Sequence, residues 1–175
     1  MTPSVRARKT NRLHKYDYSQ SGWYYVTICT KNKEEFFGDI KNRVMMLNQY
    51  GNIIDRQWNW LFRQYSYIEK YEYVIMPDHI HAVMQIKSHK LRRDRSRPVP
   101  TCEMKQKSLS ELIGAFKTTS SKHIHNLGCN HFLWQRSFYD RIIRNEYEYI
   151  AICQYIRSNP KNWEDGGNPE EDFIE

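Results

Sequence analysis

The spacing of apolar residues changes several times along the chain, and each change predicts a boundary between a strand and a helix. Aromatic and β-branched residues fill positions 23–30, which predicts a strand, and a shorter strand is predicted at 36–40. Apolar residues then recur at spacings of three and four, which predicts an amphipathic helix over 47–65. Two further apolar runs, separated by a proline, predict a pair of strands at about 67–76 and 79–87.

The second half of the chain is predicted to hold two more helices and one more strand. A capping box that begins at Ser108 predicts a helix to about residue 125. The aromatic-rich run 132–144 predicts a strand, and residues 145–159 predict a final helix that ends at Pro160. Antiparallel strand pairs joined by helices indicate an α+β fold, in which a central antiparallel sheet has its helices packed on one face. The other face is then expected to be free for functional side chains.

The length of 175 residues suits one domain with tails. We expect a flexible basic arm at 1–20, one domain at 21–163 that contains a basic loop at 87–107, and an acidic C-terminal tail at 164–175. No apolar run is long enough to span a membrane, and the N-terminus has no apolar secretory segment. The four cysteines form no CxxC pair. These features predict a cytoplasmic protein with reduced thiols and no membrane partner.

The net charge of +7 favours a polyanionic partner, most often a nucleic acid. Basic residues are concentrated in the arm and the loop, whereas the end of the chain is acidic. Solvated segments with no partner are the alternative interpretation of such charge. If a nucleic acid binds, we expect its backbone to contact basic residues in the arm, in the loop and beyond the loop. They are Arg6, Arg8, Lys9, Arg12, Arg92, Arg93, Arg95, Arg97, Lys117 and Arg136.

Candidate chemistry lies in the second strand of the central pair and in the final helix. His79 and His81 are two positions apart, so a strand directs both imidazoles to one face, where they could hold a divalent metal. Tyr155 and Asn159 are four positions apart, so they share one helix face. A tyrosine can attack phosphorus, and an amide oxygen beside two imidazoles suits Mg²⁺ or Mn²⁺. The alternatives are histidines on a solvated strand face and a packed aromatic.

Three ordered motifs carry a resemblance to a known family. The segment PDHIH at 77–81 resembles the His-hydrophobic-His motif of the single-tyrosine HUH transposases. The run WQRSFYDRIIR at 134–144 and the segment YIRSNP at 155–160 resemble the C-terminal half of the same family. Among its branches, the one associated with repetitive extragenic palindromes (REP) is the best match. The resemblance covers about residues 22–163 and is least in the basic loop.

The resemblance implies a ferredoxin-like HUH nuclease fold and a metal-dependent, transposase-like single-strand DNA endonuclease and strand transferase. His79 and His81 would be ligands of Mg²⁺ or Mn²⁺, Asn159 a third ligand, and Tyr155 the nucleophile that forms a 5′-phosphotyrosine intermediate. The partner would be single-stranded or hairpin DNA, bound by a monomer, with a homodimer as the alternative. Two other functions stay open at this point: a hairpin-binding protein without catalysis, and a metal-dependent RNA-processing nuclease.

Overall fold

The computed structural model describes residues 20–88 and 106–165. Within these residues the chain forms six strands, three helices and a short 3₁₀ turn after the first strand. The strands are β1 (Gly22–Cys29), β2 (Gly38–Lys41), β3 (Val44–Leu47), β4 (Ile68–Ile75), β5 (His79–Ile86) and β6 (Tyr139–Ile143). The helices are α1 (Gln49–Gln64), α2 (Leu109–Asn126) and α3 (Glu146–Glu164), and the 3₁₀ turn is Lys31–Lys33.

Four strands form one sheet in the order β4-β5-β1-β6, and every neighbouring pair in it is antiparallel. In the two central strands, Thr27 lies opposite His81 and Cys29 lies opposite His79. Because directly paired residues point to the same side of a sheet, Thr27 and His81 share a face. Strands β2 and β3 form a separate hairpin. The predicted α+β fold with a central antiparallel sheet is confirmed.

One face of the sheet carries the larger hydrophobic core. Alternate residues of β1 and β5 point into it, and α1 and α2 cover them. Trp58 of α1 and Phe116 of α2 are fully buried, with their ring centroids 5.2 Å apart in an edge-to-face arrangement. The N-terminus of α2 has the predicted capping box, since Ser108 and Glu111 exchange side-chain and backbone hydrogen bonds. The placement of these two helices on one face follows the prediction.

Helix α3 lies on the opposite face of the sheet, which differs from the expectation of a helix-free face. Its apolar residues Ile152 and Ile156 are buried against Tyr25, Val83 and Ile143. These partners alternate with the residues that face α1 and α2, so the sheet is covered on both sides. The physical reason is that the apolar stripe of α3 needs a partner surface, and the side of β5 that bears the histidines supplies it.

The final helix continues through Pro160 to Glu164, so the prediction that it ends at this proline is wrong. A proline inside a helix removes one backbone hydrogen bond and usually ends or kinks the helix. Here tertiary contacts hold the last turn. The ring of Trp163 lies 5.7 Å from that of His79, and the backbone N–H of Arg43 donates to the Glu164 carboxylate at 2.8 Å.

Two further boundaries differ from the predicted ones. Residues 44–47, at the edge of the predicted first helix, form β3, because Asn42 and Arg43 adopt left-handed conformations that close a tight hairpin. Asn48 then caps α1, accepting from the backbone N–H groups of Tyr50 and Gly51. The strand predicted over 132–144 is regular only in β6, and a single bridge joins Trp134 to Thr30.

Nearly all of the predicted basic arm lies outside the described residues, as do most of the basic loop and most of the acidic tail. Eight of the ten predicted DNA-contacting residues therefore have no structural account: Arg6, Arg8, Lys9, Arg12, Arg92, Arg93, Arg95 and Arg97. Of the helices that the structure describes, none is long and apolar enough to cross a membrane.

Candidate active site

The imidazoles of His79 and His81 converge on one point on the α3 face of the sheet. Their Nε2 atoms are 2.9 Å apart, and their ring centroids are 4.4 Å apart. Both side chains are buried, so the alternative of histidines on a solvated strand face is wrong. Two ligand atoms at about 2.1 Å from one ion and at right angles to each other lie about 3 Å apart. The spacing of the two nitrogens therefore fits a shared metal ion.

Asp78 fixes the orientation of His79. The Nδ1 atom of His79 makes a hydrogen bond to the Asp78 carboxylate, and both side chains are buried. A carboxylate only accepts, so Nδ1 carries a proton, and in the neutral ring Nε2 presents a lone pair. The turn before β5 is held by backbone hydrogen bonds from the segment after β1: the N–H of Thr30 donates to the Asp78 carbonyl at 2.8 Å, and that of Phe36 to the Pro77 carbonyl at 2.9 Å.

Two hydroxyl groups of β1 surround the other nitrogen of His81. The Nδ1 atom lies 2.7 Å from the Tyr25 hydroxyl and 2.9 Å from the Thr27 hydroxyl. Burial lowers the pKa of His81 well below its usual value, and the neighbouring His79 and Lys33 lower it further. His81 is therefore neutral at pH 7, as a metal ligand must be. Burial also raises the pKa of Tyr25, which keeps that phenol protonated.

Helix α3 brings Tyr155 to the imidazole pair. Its hydroxyl lies 3.3 Å from Nε2 of His81, and the two rings meet edge to face with centroids 5.2 Å apart. Only 8% of the Tyr155 surface is exposed. The predicted pair of imidazoles and the predicted nucleophile, which are more than 70 residues apart in the chain, are thus in contact.

Asn159 lies one helical turn after Tyr155 and is fully buried. Neither its Oδ1 nor its Nδ2 atom has a hydrogen-bond partner among the described residues. A buried amide without partners costs free energy, so its presence calls for a further group at this position. An amide oxygen is a suitable ligand for a hard divalent cation. The chemistry of the two convergent imidazoles and of this amide fits Mg²⁺ or Mn²⁺, and Asn159 lies one helical turn beyond Tyr155, whose hydroxyl contacts His81.

The described residues offer few candidate metal ligands at this site. Residues 20–88 and 106–165 contain no cluster of three or more His, Cys, Asp and Glu side chains able to hold a metal. Within these residues the oxygen of Asn159 stays the predicted third ligand beside the two imidazoles. Sites of this kind leave coordination positions for water and substrate phosphate oxygens, which is typical of ions that act on phosphates.

Of the predicted DNA-contacting residues, Lys117 and Arg136 are described. The ammonium group of Lys117 donates to the backbone carbonyls of Gln135 at 2.7 Å and Ser137 at 3.0 Å. Burial lowers the pKa of Lys117 to about 8. Arg136 lies between these two carbonyls and is exposed. Lys117 thus anchors the segment that contains Arg136. Arg136 stays a candidate for contact with a DNA backbone.

Sequence reasoning did not assign roles to four residues beside the histidines. Tyr25 and Thr27 alternate on β1, and a threonine within an otherwise aromatic strand was a signal that this face is polar. Trp163 lies beyond the proline at which the helix was predicted to end, so its contact with His79 was not expected. Asp78 was part of the quoted motif without a role of its own.

Comparison of the sequence with known proteins gives the family of the chain. No family model matches the sequence. A curated protein of Haemophilus influenzae, described as uncharacterized, is 34% identical over 165 residues, which cover 91% of this chain and 92% of the relative. Identity at this level over nearly the whole length of both chains means that the chain belongs to the same family as this protein.

A solved structure of the REP-associated tyrosine transposase bound to a REP hairpin matches the fold with a TM-score of 0.59. It is 17% identical and covers 89% of this chain and 74% of the transposase. A candidate transposase of Deinococcus radiodurans matches with a TM-score of 0.47, at 16% identity, over 83% of this chain and 94% of its own. The fold that the motif resemblance implied is confirmed, because the REP-associated tyrosine transposase has the same fold.

Proposed function

We propose that this protein is a metal-dependent single-strand DNA endonuclease and strand transferase, which acts at DNA hairpins through a 5′-phosphotyrosine intermediate. The contact between the Tyr155 hydroxyl and the convergent imidazole pair is the observation that supports this most directly. A solved structure with the same fold is a transposase bound to a hairpin, which supports the choice of substrate. The high positive charge of the chain agrees with a polyanionic partner.

The reaction would be a direct exchange at phosphorus. The phenol oxygen of Tyr155 attacks the scissile phosphate, a bond between tyrosine and phosphorus forms, and the bond to the 3′-oxygen breaks. The phenol loses its proton, and the departing strand keeps a free 3′-OH. Attack of a 3′-OH on the phosphotyrosine then rejoins DNA and releases Tyr155. Because the reaction conserves the number of phosphodiester-type bonds, it needs no external energy source.

The residues around Tyr155 would bind and orient the reacting groups. His79, His81 and Asn159 would hold the divalent ion, and Asp78 would keep the His79 ring in place. When bound, Mg²⁺ or Mn²⁺ would polarise the phosphate and stabilise the charge that develops on its oxygens. Packing of the Tyr155 ring against His81 would keep the phenol beside that phosphate.

The domain organisation forms part of the same proposal. Residues 21–163 would be the catalytic domain, acting as a monomer in the cytoplasm, with the basic arm and loop along the DNA and the acidic tail beyond α3. A homodimer is the alternative state. The tail bears a charge opposite to that of the arm and loop. It would therefore make no favourable contact with the DNA backbone.

The direct test is covalent capture of DNA. We expect the full chain, incubated with labelled hairpin DNAs and Mg²⁺ or Mn²⁺, to give a protein–DNA adduct that survives a denaturing gel. Chelation of the metal with EDTA should abolish the adduct, and restored metal should bring it back. A broad set of hairpins bound without any adduct, in either metal, would contradict the proposal.

A hairpin-binding protein without catalysis is the second candidate, and the burial of the site favours it. His79, His81, Tyr155 and Asn159 are each at most 8% exposed, so a phosphate cannot reach them without some movement of α3 or its neighbours. This candidate predicts hairpin binding with no adduct and no metal dependence of affinity. The same denaturing gel, paired with a native gel for binding, separates the two candidates.

Neutralising the basic arm is expected to weaken DNA binding and to flatten its dependence on salt. Replacing Arg6, Arg8, Lys9 and Arg12 by glutamine should lower the slope of log affinity against log salt by about 0.7–0.9 for each phosphate that the arm no longer neutralises. Fluorescence anisotropy over a range of salt concentrations measures that slope. Replacing Arg56 and Arg63 by glutamine is the control. Both are exposed residues of α1, which packs on the face of the sheet opposite to the histidines, so the slope should stay unchanged. Equal slopes in wild type and arm variant would refute the role of the arm.

A further inference from the structure

The two histidines of the site have different partners on the nitrogen that faces away from the shared point. His79 contacts a carboxylate, which can only accept a hydrogen bond. His81 contacts the hydroxyls of Tyr25 and Thr27, and a hydroxyl can either donate or accept. The proton on His79 is therefore fixed to Nδ1, whereas the surroundings of His81 permit a proton on either nitrogen.

The distance between the two Nε2 atoms limits what can lie between them. Two lone pairs that face each other at 2.9 Å repel, so either a proton or a cation must lie between the nitrogens. When both imidazoles are neutral, the one proton of His79 is on Nδ1, so a proton between the rings belongs to Nε2 of His81. Nδ1 of His81 then has a lone pair and accepts from a hydroxyl. With a cation between the rings, the proton of His81 lies on Nδ1 and is donated to a hydroxyl.

The hydroxyls of Tyr25 and Thr27 can partner Nδ1 of His81 whether or not that nitrogen carries a proton. Thr27 lies directly opposite His81 in the sheet, and Tyr25 is two residues earlier on the same strand, so both point to the α3 face. Tyr25, Thr27 and His81 are all buried, with at most 6% of their surfaces exposed. Bulk water therefore has little access to this nitrogen, and the two hydroxyls must satisfy it.

We propose that Tyr25 and Thr27 are positioning residues that let His81 exchange the proton on its Nε2 atom for a divalent cation. When the cation binds, the ring loses the Nε2 proton and gains one on Nδ1, so the net charge of the imidazole does not change. The hydroxyl partner changes from donor to acceptor at the same time. The inference rests on the proposed function for the identity of the two ligands, and it assigns different roles to them: His79 is preset and His81 adapts.

Nitrogen NMR of the full chain labelled with ¹⁵N-histidine tests the exchange directly, because the two nitrogens of each tautomer have distinct shifts. Without metal, we expect His79 as the Nδ1–H form and His81 as the Nε2–H form. Saturation with Zn²⁺, a diamagnetic ion that binds imidazole, should convert His81 to the Nδ1–H form and leave the tautomer of His79 unchanged. An Nδ1–H form of His81 before metal is added, or failure of the wild type to bind Zn²⁺, would overturn the proposal.

Paired substitutions test the role of the hydroxyls. The double variant Tyr25→Phe, Thr27→Val keeps the side-chain shapes but leaves Nδ1 of His81 without a partner, so the affinity for Zn²⁺ in calorimetry should fall about 10–100-fold. Adding back one hydroxyl, as in Tyr25→Phe, Thr27→Ser, should restore most of it. Tyr139→Phe is the control, because this ring lies 6.2 Å from that of Tyr25 on the same face and should leave the affinity unchanged. Wild-type affinity in the Phe–Val variant would refute the inference.

Both measurements are made without DNA, so they fail independently of the proposed function. Tautomer exchange without any DNA adduct would leave the inference standing and contradict the nuclease proposal. A DNA adduct formed by a protein whose His81 keeps one tautomer throughout would support the nuclease proposal and contradict the inference.

Discussion

Replacement of Tyr155 by phenylalanine is expected to abolish the covalent protein–DNA adduct completely while leaving the fold in place. The substitution removes only the hydroxyl, because the ring keeps its packing against His81 and Tyr25. The hydrogen bond of this hydroxyl to Nε2 of His81, which is 3.3 Å long, has a net value of about 0.5–1.5 kcal/mol in folding stability. No other atom of the side chain can attack phosphorus, so the loss of chemistry should be total.

A second tyrosine of the same helix is the matched control for this experiment. Tyr149 is half-buried on α3, and its ring lies against Trp23 and Tyr71 rather than against the histidines. Tyr149→Phe should therefore form the adduct as the wild type does, on the same denaturing gel and with the same hairpin DNA. Adduct formation by Tyr155→Phe would show that another residue is the nucleophile, whatever Tyr149→Phe does.

The parts of the site that sequence predicted are those set by local periodicity. An alternating strand places His79 and His81 on one side whatever the rest of the fold, and both do share a side. A helix places Tyr155 and Asn159 together in the same way, and both are buried on α3. The motif resemblance then supplied the step that periodicity lacks, because it linked the strand to the helix.

The parts that were missed depend on contacts between distant segments. The hydrogen bond between Thr27 and His81 joins residues 54 positions apart, and it exists only because of the register between β1 and β5. The face on which α3 packs is likewise a property of the assembled sheet. Pro160 illustrates the same point, since its local effect on the helix is overcome by the contacts of Trp163 and Glu164.

If the buried amide of Asn159 is a metal ligand, its substitution is expected to have opposite effects on stability and activity. Leaving such a group unsatisfied costs about 1–3 kcal/mol, so its presence needs an explanation. Asn159 is in this position among the described residues. If its amide oxygen serves as a metal ligand, binding of the metal offsets the free-energy cost of burying the amide. No hydrogen bond among the described residues offsets that cost.

Substitution of Asn159 by leucine should therefore keep or raise the free energy of unfolding, as urea denaturation measures it, and should abolish the adduct. The control is Asn145, the N-cap of the same helix, whose side-chain oxygen accepts from the backbone N–H of Glu148 at 2.8 Å. Asn145→Ala should lower stability by about 0.5–2 kcal/mol and still form the adduct. The two asparagines thus have opposite expected effects: Asn145 would stabilise the helix without contributing to the chemistry, and Asn159 would contribute to the chemistry and lower the stability of the fold. An Asn159→Leu protein that is less stable but still forms the adduct would show instead that the amide has a structural role.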